Sequence, residues 1–577
     1  MSKNESTPLL KGVRNDIVLD PSSGLEGFVA EEIEQDELLQ DSSYTNYTEP
    51  SLTTDEDEKP FSPTRLRIIL LSMYLGVFLA SLDSTIITTL IGHIASEFNS
   101  LPKLPWIATS YLVSSATFQP IYGKISDIFG RRALLLFCNF FFTIGCFVCA
   151  IAPTVDYLIL GRFISGIGGA GLTSLVTIAT SDLIPLKSRG VYQGISNIAF
   201  GVGTAIGAIV GGLFADNESL GGWRGAFWIQ IPLTLFSFGA IYLFFELPKN
   251  SLGYGTTDGV KEKLKSIDWF GSLSLITFLL LFLTGSSAGG KEIPFNSIGF
   301  KSLVIASIIA LIIFIYIELK AKNPILPLQF LSIPTVLGVS IANFFFCMSA
   351  FTIFFTLPIY FTAVLNLNSQ QIGNRFAPNF FSTIIGSLGG GLYIKYTGKY
   401  QRLLIISGVV GVLGTIRVAQ VNPNYSVFEQ YILLITPGMG ISVIITATLI
   451  ALISAVPHKH QAATTSISYL FRSCGSTLGV SIGSAIFNYK LNSELSSQVL
   501  KFKDSYDLEI LEEIIYNAKH SSEYVFHGAP DFIRNTLINS YSQGTRLTFQ
   551  VCVGWTILGF LGLFLIIENQ LHATLKR

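Results

Sequence analysis

Asp83 carries the one carboxylate that lies well inside a long apolar stretch of this chain. A charge near the centre of a bilayer costs about 3 kcal/mol, so such a residue usually faces a protein interior or an aqueous cavity. A carboxyl group in that position can hold a proton in one state and a cationic substrate in another. The sequence therefore predicts that Asp83 binds both in turn. The alternative is a structural aspartate that caps a helix break or pairs with an arginine.

Two arginines and several amides also lie at membrane depth. Arg162 is a candidate coupling residue, and Arg472 is a candidate binding residue, although a long basic side chain can also reach towards the membrane surface. The amides of Gln119, Asn197 and Asn343 are candidate cavity-lining donors. Hydrogen bonding between neighbouring helices is the alternative role for all three.

About fourteen apolar stretches, each of about 20 residues, position these groups between Arg67 and Ile567. A bilayer core of about 30 Å needs about 20 helical residues to cross it, and a helix satisfies its own backbone hydrogen bonds in lipid. The sequence thus predicts an all-α polytopic membrane protein. The predicted spans are 67–92, 106–124, 133–152, 157–181, 190–214, 226–246, 269–288, 300–318, 334–357, 376–394, 403–420, 430–454, 462–487 and 547–567.

Charge is distributed unevenly along the 577 residues, although the net charge is only −1. Residues 1–60 contain 15 of the 38 acidic residues and 4 of the 37 basic ones. The short loops that follow the even-numbered spans are rich in lysine and arginine, which predicts that these loops and both termini are cytosolic. The loop at 488–546, on the opposite side, is predicted to be partly helical in SYDLEILEEIIYNAK.

Motifs of soluble enzymes are missing or misplaced in this sequence. The glycines at 166, 168 and 171 match a dinucleotide motif, but they lie in a predicted membrane span with no preceding strand. No GxxxxGK[ST] motif is present, which argues against an ATP-driven pump. We predict no enzymatic activity, no cofactor, no metal site and no nucleic-acid partner.

A weak internal repeat relates two parts of the chain at an offset of 268 residues. Gly123, Asp127 and Gly130 after span 2 match Gly391, Lys395 and Gly398 after span 10. At the same offset, two glycines of span 5 match two of span 13. Such repeats are typical of secondary transporters, which hold their substrate between two halves. The glycines expected to pack helices closely are Gly203, Gly207, Gly211, Gly212, Gly475 and Gly479.

The loop GKISDIFGRRALL resembles the signature loop of the major facilitator superfamily. The resemblance implies a charged cytosolic latch, which forms and breaks during alternating access, at Gly123, Asp127, Gly130, Arg131 and Arg132. GRFISGIGGAG in span 4 is similar to the family's arginine motif. GVGTAIGAIVGG in span 5 is similar to its antiporter motif, except that Ala208 replaces the usual proline, which weakens the inference of antiport.

Residues 65–567 more closely resemble the fourteen-span drug:proton branch and, within it, the fungal vacuolar basic amino acid transporters. The segments that carry this resemblance are ATSYLVSSATFQPIYGKISDIFGRR, SDLIPLKSRGVYQGISNIAFG and SYLFRSCGSTLGVSIG. The resemblance implies a proton-coupled antiporter in the lipid of the vacuolar membrane, with lysine, arginine or histidine as substrate. A drug:proton exporter of the plasma membrane and a non-transporting nutrient sensor are the alternatives.

The internal repeat and the positions of the spans predict the domain organisation. We expect a disordered cytosolic tail at 1–64, two six-helix bundles at 65–247 and 332–568, and a linker with two extra spans at 248–331. Residues 569–577 form the predicted cytosolic C-terminus.

The acidic tail carries two matches to the dileucine pattern that adaptor coat proteins recognise. The residues are Glu5, Leu9 and Leu10 in the first match, and Glu34, Leu38 and Leu39 in the second. They predict sorting to the vacuole. The sequons at Asn217 and Asn424 lie in predicted non-cytosolic loops, where glycosylation is possible.

Overall fold

The computed structural model describes residues 63–98, 104–215, 219, 221–245, 247, 252–256, 259–289, 293–294, 296–321, 323–457, 460–503, 506–569 and 571. Nineteen α-helices and a few 3₁₀ turns account for nearly all of these residues, and none of them lies in a β-strand. Backbone groups are therefore satisfied within each helix, as a lipid environment demands. The sequence-based prediction of an all-α membrane fold is confirmed.

The first bundle contains seven helices because its sixth span is interrupted at Ile229. Its helices are α1 (Pro63–Phe98), α2 (Leu104–Phe129), α3 (Arg131–Ala150), α4 (Val155–Leu183), α5 (Leu186–Ala215), α6 (Gly222–Trp228) and α7 (Gln230–Phe244). The connecting segment contains the 3₁₀ turn Leu252–Tyr254, α8 (Val260–Lys265), α9 (Trp269–Ala288), α10 (Ile298–Lys320) and the 3₁₀ turn Leu328–Ser332.

The second bundle also contains six spans, and additional short helices precede the last of them. It contains α11 (Pro334–Leu365), α12 (Ser369–Thr397), α13 (Gln401–Ala419), α14 (Val427–Ile432), α15 (Ile435–Ser454), α16 (Gln461–Val499), α17 (Leu508–His520), α18 (Tyr524–His527) and α19 (Asp531–Gly562). The helix predicted in SYDLEILEEIIYNAK is α17. Helices α16 and α19 extend well beyond their predicted spans, so most of the 488–546 segment is helical.

Each predicted span coincides with a helix, or a pair of helices, long enough to cross a bilayer. Eleven spans, among the described residues, are also apolar enough to qualify as membrane-spanning by composition. The other three fall in α2, α12 and α16, which have 26, 29 and 39 residues and therefore fail on polarity rather than length. These three helices form the contact between the bundles, where α2 packs on α16 and α12 packs on α5. Some of their polar residues, such as Ser387 and Ser473, bond to the other bundle instead of facing lipid.

The inserted helices α9 and α10 pack beside this contact. Leu275, Leu279 and Leu283 of α9 and Phe314 of α10 are buried against apolar residues of α2, α11 and α16. The pair therefore covers one side of the boundary between the two bundles.

The internal repeat is visible in how two glycines contact the opposite bundle. A Cβ atom on Gly123 would lie 2.8 Å from the carbonyl oxygen of Ala462, at the start of α16. A Cβ atom on Gly391 would lie 2.9 Å from the backbone nitrogen of Val191, at the start of α5. Only glycine permits these backbones to approach so closely. Both contacts lie at the membrane end where α2 meets α3, which we call the Asp127 end.

Glycines within the bundles pack α5 on α1 and α16 on α11. Gly203 and Gly207 face the carbonyls of Phe78 and Leu82, while Gly475 and Gly479 face those of Phe344 and Met348. In both bundles the carbonyls are four residues apart. The equivalent pair in the first bundle is thus Gly203 and Gly207, one helical turn before the pair that the 268-residue offset indicated. A Cβ atom on Gly212 would have no neighbour within 4 Å, and Gly211 is buried.

Candidate functional site

The two bundles are joined by hydrogen bonds between polar side chains of apolar helices. The hydroxyls of Thr177 and Tyr469 lie 2.7 Å apart. Asn197 donates to Ser387 and to Thr446, both at 3.1 Å. We call these contacts, together with those of Gln119 and Gln193 described next, the polar seam. Its residues lie in the parts of α4, α5 and α16 nearer the Asp127 end, so the bundles are held together there.

Two glutamines extend the polar seam. Gln119 accepts a hydrogen bond from Ser473 of the second bundle and donates to Thr173 at 3.1 Å. Gln193 accepts from Thr177 at 3.2 Å and donates to Asn197 at 3.3 Å. Each glutamine uses both ends of its amide, which satisfies groups that would be costly to bury alone.

A small cavity adjoins the polar seam at Gln193 and Tyr469. It is lined by Gln193, Asn343, Ile445, Leu449, Ser468, Tyr469 and Arg472. Its free volume is ≈ 10 Å³, about enough for one water molecule. The bundles must therefore separate before a solute of amino-acid size can enter.

Arg472 is the charged residue of this cavity wall. Its guanidinium lies over the ring of Tyr469, 5.5 Å from the ring centre, and also interacts with the thiol of Cys347. Asn343 is fixed by a 2.9 Å hydrogen bond to Ser468 and accepts one from Thr448. Arg472 is 11 residues from the start of α16, or about 16 Å along the helix. This depth is close to the middle of a bilayer core.

Asp83 and Arg162 form an ion pair inside the first bundle. Nη1 of Arg162 donates to Oδ2 of Asp83, and the two side chains are 1% and 0% exposed. Nε of Arg162 donates to the carbonyl of Ile107 at 3.3 Å, and the guanidinium lies 4.5 Å from the ring centre of Tyr111. In the described part of the chain, Oδ1 of Asp83 has no hydrogen-bond partner.

The predicted latch residues are held together at the Asp127 end. Arg131 pairs with Asp127 at 2.6 Å and with Asp182, at the end of α4, at 2.9 Å. Gly130 has φ = +90°, a conformation that favours glycine and lets α3 start immediately after α2. Arg132 instead donates to the carbonyl of Tyr242 on α7. The latch therefore connects α2, α3 and α4 within one bundle.

A segment of the connector lies on the latch loop. The backbone N–H of Thr256 donates to the carbonyl of Ile128 at 3.1 Å. A Cβ atom on Gly130 would collide with the backbone of Tyr254. The start of the connector thus packs against the loop that the sequence identified as the latch.

Residues 73–480 match the family described as Major Facilitator Superfamily. The chain belongs to the major facilitator superfamily. The charged loop, the two bundles and the contact between them are therefore those of a transporter of this superfamily, not of an enzyme.

Three fungal relatives are similar to this superfamily member over most of its length. The "Vacuolar membrane amino acid uptake transporter fnx2" of Schizosaccharomyces pombe is 35% identical over 486 residues, which cover 83% of this chain and 81% of that protein. The "Multidrug resistance protein fnx1" of the same yeast is 34% identical over 514 residues, covering 88% and 94%. The "Vacuolar basic amino acid transporter 1" of Saccharomyces cerevisiae is 32% identical over 494 residues, covering 79% and 84%.

In this superfamily member, the structure divides the predicted binding residues into two groups. Gln119, Asn197, Asn343 and Arg472 lie along the polar seam or its cavity. Asp83 does not join them, because it is enclosed with Arg162 inside the first bundle. Fifteen residues of α4 separate Arg162 from Thr177, or about 22 Å along the helix.

Several important residues were not predicted. Gln193, Ser468 and Tyr469 line the cavity, and Asp182 is the second carboxylate bound to Arg131. The three-residue spacing of Tyr469 and Arg472 places both on one face of α16 and was a usable signal. Thr177 gave none, because hydroxyl side chains in helices commonly bond to their own backbone.

Of the remaining predicted positions, one lies in a described loop and the others lie outside the described residues. Asn424 is exposed in the loop between α13 and α14, where its side chain is accessible. Asn217 and the two tail motifs, with Glu5, Leu9, Leu10, Glu34, Leu38 and Leu39, lie outside the described residues.

Proposed function

We propose that this protein is a proton-coupled antiporter that moves basic amino acids from the cytosol into the vacuole. The observation that carries the proposal is the polar cavity between the two bundles. A cavity at mid-membrane between repeated bundles is the usual substrate site of secondary transporters. The printed names of two of the relatives favour amino acids as the substrate.

Alternating access follows from where the bundles touch. The contacts of Gly123 with α16, of Gly391 with α5 and of Arg189 with Gln461 (3.1 Å) all lie at the Asp127 end. The predicted orientation makes this end cytosolic, so the present conformation is closed towards the cytosol. Loading from the cytosol would require these contacts to break and the bundles to rock apart.

Proton coupling is assigned to Asp83. A proton on this carboxyl group would neutralise the partner of Arg162, and a buried pair that loses one charge is strongly destabilised. Because Arg162 and Thr177 share helix α4, a shift of Arg162 can reach the seam through a rigid element. We therefore propose that proton and substrate occupy separate sites coupled by α4, rather than competing directly for Asp83.

The latch would set the rate at which the bundles interconvert. Arg131 holds α2, α3 and α4 together through Asp127 and Asp182. Any movement of α4 that follows protonation would change the distance between Asp182 and Arg131. The latch would thereby connect the state of the Asp83–Arg162 pair, through α4, to the contacts at the Asp127 end.

Export of drugs is the second candidate, because the relative named "Multidrug resistance protein fnx1" is similar over 88% of the chain. Uptake of labelled lysine and arginine into isolated vacuoles, with the proton gradient intact or collapsed by a protonophore, tests the main proposal. We expect gradient-dependent uptake that exceeds that of vacuoles lacking the protein. A drug exporter would leave amino-acid uptake unchanged, and a sensor would transport neither class.

Vacuolar sorting through the tail is a separate part of the proposal. Replacing Leu9, Leu10, Leu38 and Leu39 by alanine should shift a tagged protein from the vacuole to the cell surface, since adaptor coat proteins bind such leucine pairs. Fluorescence microscopy of the tagged variant measures the shift. Unchanged vacuolar fluorescence would refute the sorting role.

A further inference from the structure

Among the described residues Arg472 has no carboxylate partner, unlike the arginine of the latch and the arginine of the buried pair. Arg131 binds two aspartates and Arg162 binds one. In the part of the chain that the structure describes, no acidic side chain forms an ion pair with Arg472. None of the seven residues that line the cavity is acidic either.

The cavity therefore presents one positive charge among neutral groups. Amides of Gln193 and Asn343 and hydroxyls of Ser468 and Tyr469 form the rest of its polar wall. An arginine at this depth is costly unless it faces an aqueous cavity or an anion. A guanidinium binds a carboxylate through two parallel N–H···O bonds. This pairing is among the strongest and most specific that an arginine makes.

We propose that Arg472 is the subsite for the α-carboxylate of the transported amino acid; this rests on the proposed function and specifies its site. A basic amino acid has one anionic group, and the cavity wall has one cationic side chain. The ammonium groups of the substrate would bond to carbonyl oxygens of the amides and to the hydroxyls of the cavity wall. Recognition of the substrate backbone would thus exclude cations that lack a carboxylate.

Opening of the seam would expose this subsite. Tyr469 bonds to Thr177 of the first bundle while its ring faces Arg472. Separation of the bundles breaks the hydroxyl contact and leaves Tyr469 and Arg472 together on α16. The carboxylate subsite would therefore be complete on the second bundle alone, before the first bundle closes over the substrate.

The experiment measures ligand-induced thermal stabilisation of the purified full-length protein in detergent. The probes are lysine, lysine methyl ester and 1,5-diaminopentane, which share the side-chain ammonium but differ in the carboxylate. We expect the ester and the diamine to bind about 10- to 100-fold more weakly than lysine, because a hydrogen-bonded charge is lost. Equal binding of lysine and its ester by the parental protein would overturn the proposal, as would absence of lysine binding.

Variants at the same position make the assignment specific. Arg472→Gln should bind lysine and the ester with similar, weak affinity, whereas Arg472→Lys should keep a reduced preference for lysine. Arg534→Gln removes an arginine of the same bundle that pairs with exposed Asp531, and it should leave the preference unchanged. A preference for lysine that persists in Arg472→Gln would refute the subsite.

Uptake by proteoliposomes separates this proposal from the transport function. If the parental protein binds lysine through Arg472 but does not accumulate it along a proton gradient, the antiport proposal fails and the subsite stands. If lysine accumulates and the ester competes equally well, the antiport proposal stands and the subsite fails.

Discussion

Arg162 and Arg472 each lie over a tyrosine ring in a membrane-spanning helix, yet their charged surroundings differ. Arg162 is 1% exposed and is paired with Asp83, a backbone carbonyl and an aromatic face inside one bundle. Arg472 is partly exposed at the boundary of two bundles and contacts the ring of Tyr469, and no carboxylate of the described residues pairs with it. A charge with a buried counter-ion is suited to hold or switch a structure, and a charge without one is suited to receive a ligand. We therefore propose proton coupling for the first site and substrate recognition for the second.

Removal of the carboxylate from the buried pair should have the largest effect. Asp83→Asn leaves Arg162 buried without its counter-charge, and arginine is not deprotonated in proteins. We expect unfolding to become easier by about 3–5 kcal/mol and gradient-driven uptake to be lost. Melting in detergent and lysine uptake by proteoliposomes measure the two effects. The matched substitution Asp531→Asn breaks an exposed pair and should cost less than about 1 kcal/mol.

A double variant distinguishes stability from coupling. Asp83→Asn combined with Arg162→Gln removes both charges and should recover most of the lost stability, because no uncompensated charge remains. Gradient-driven uptake should still be absent. Recovery of uptake to the parental rate would place the proton site elsewhere.

Replacing Arg472 by glutamine should have the opposite pattern of effects, with stability nearly unchanged and uptake reduced. Arg472→Gln should change the free energy of unfolding by no more than about 1 kcal/mol, since a partly exposed side chain loses only its contacts with the Tyr469 ring and the Cys347 thiol. Lysine uptake should fall at least about tenfold, because hydrogen bonds to a charged group are removed. Initial uptake rates normalised to protein abundance provide the measurement. A loss of stability as large as that of Asp83→Asn would show that Arg472 is structural.

Substitutions in the latch should act mainly on the rate of exchange rather than on the stability of the protein. Asp127→Ala and Asp182→Asn each remove one carboxylate from Arg131, and a charge-assisted hydrogen bond of this kind shifts a two-state balance by about tenfold. We expect slower lysine exchange at unchanged abundance in both variants. Exchange assays with preloaded proteoliposomes, run beside immunoblots, measure this. Parental exchange rates in both would remove the latch from the mechanism.

The smallest effect is expected for the hydrogen bond between Thr177 and Tyr469, which joins the two bundles. Thr177→Val and Tyr469→Phe each break the 2.7 Å contact between the bundles, which is worth about 1 kcal/mol. A double-mutant cycle on the melting temperatures should give a coupling of about 0.5–1.5 kcal/mol. Additive effects would indicate that this contact contributes nothing to holding the bundles together.

Much of the fold was predictable because the bilayer acts on each segment separately. The length and polarity of a helix are local properties, so the fourteen spans could be identified without knowing their neighbours. Gly123, Asp127 and Gly130 could be predicted equally well, since a tight charged loop depends on residues close in sequence. The three spans that are not apolar enough by composition, α2, α12 and α16, were still predicted as spans, and they pack at the contact between the bundles.

The assembly of the site was decided by contacts between distant residues. Asp83 and Arg162 are 79 residues apart, and Thr177 and Tyr469 are 292 apart. Which polar side chains meet depends on the rotation of each helix about its axis and on the neighbour it packs against. Hydropathy does not encode either quantity for a helix surrounded by other helices. The sequence by itself therefore determined which helices cross the membrane and which ionisable groups they carry. Only the tertiary structure decided that one arginine is neutralised within a bundle and that the other lines a cavity.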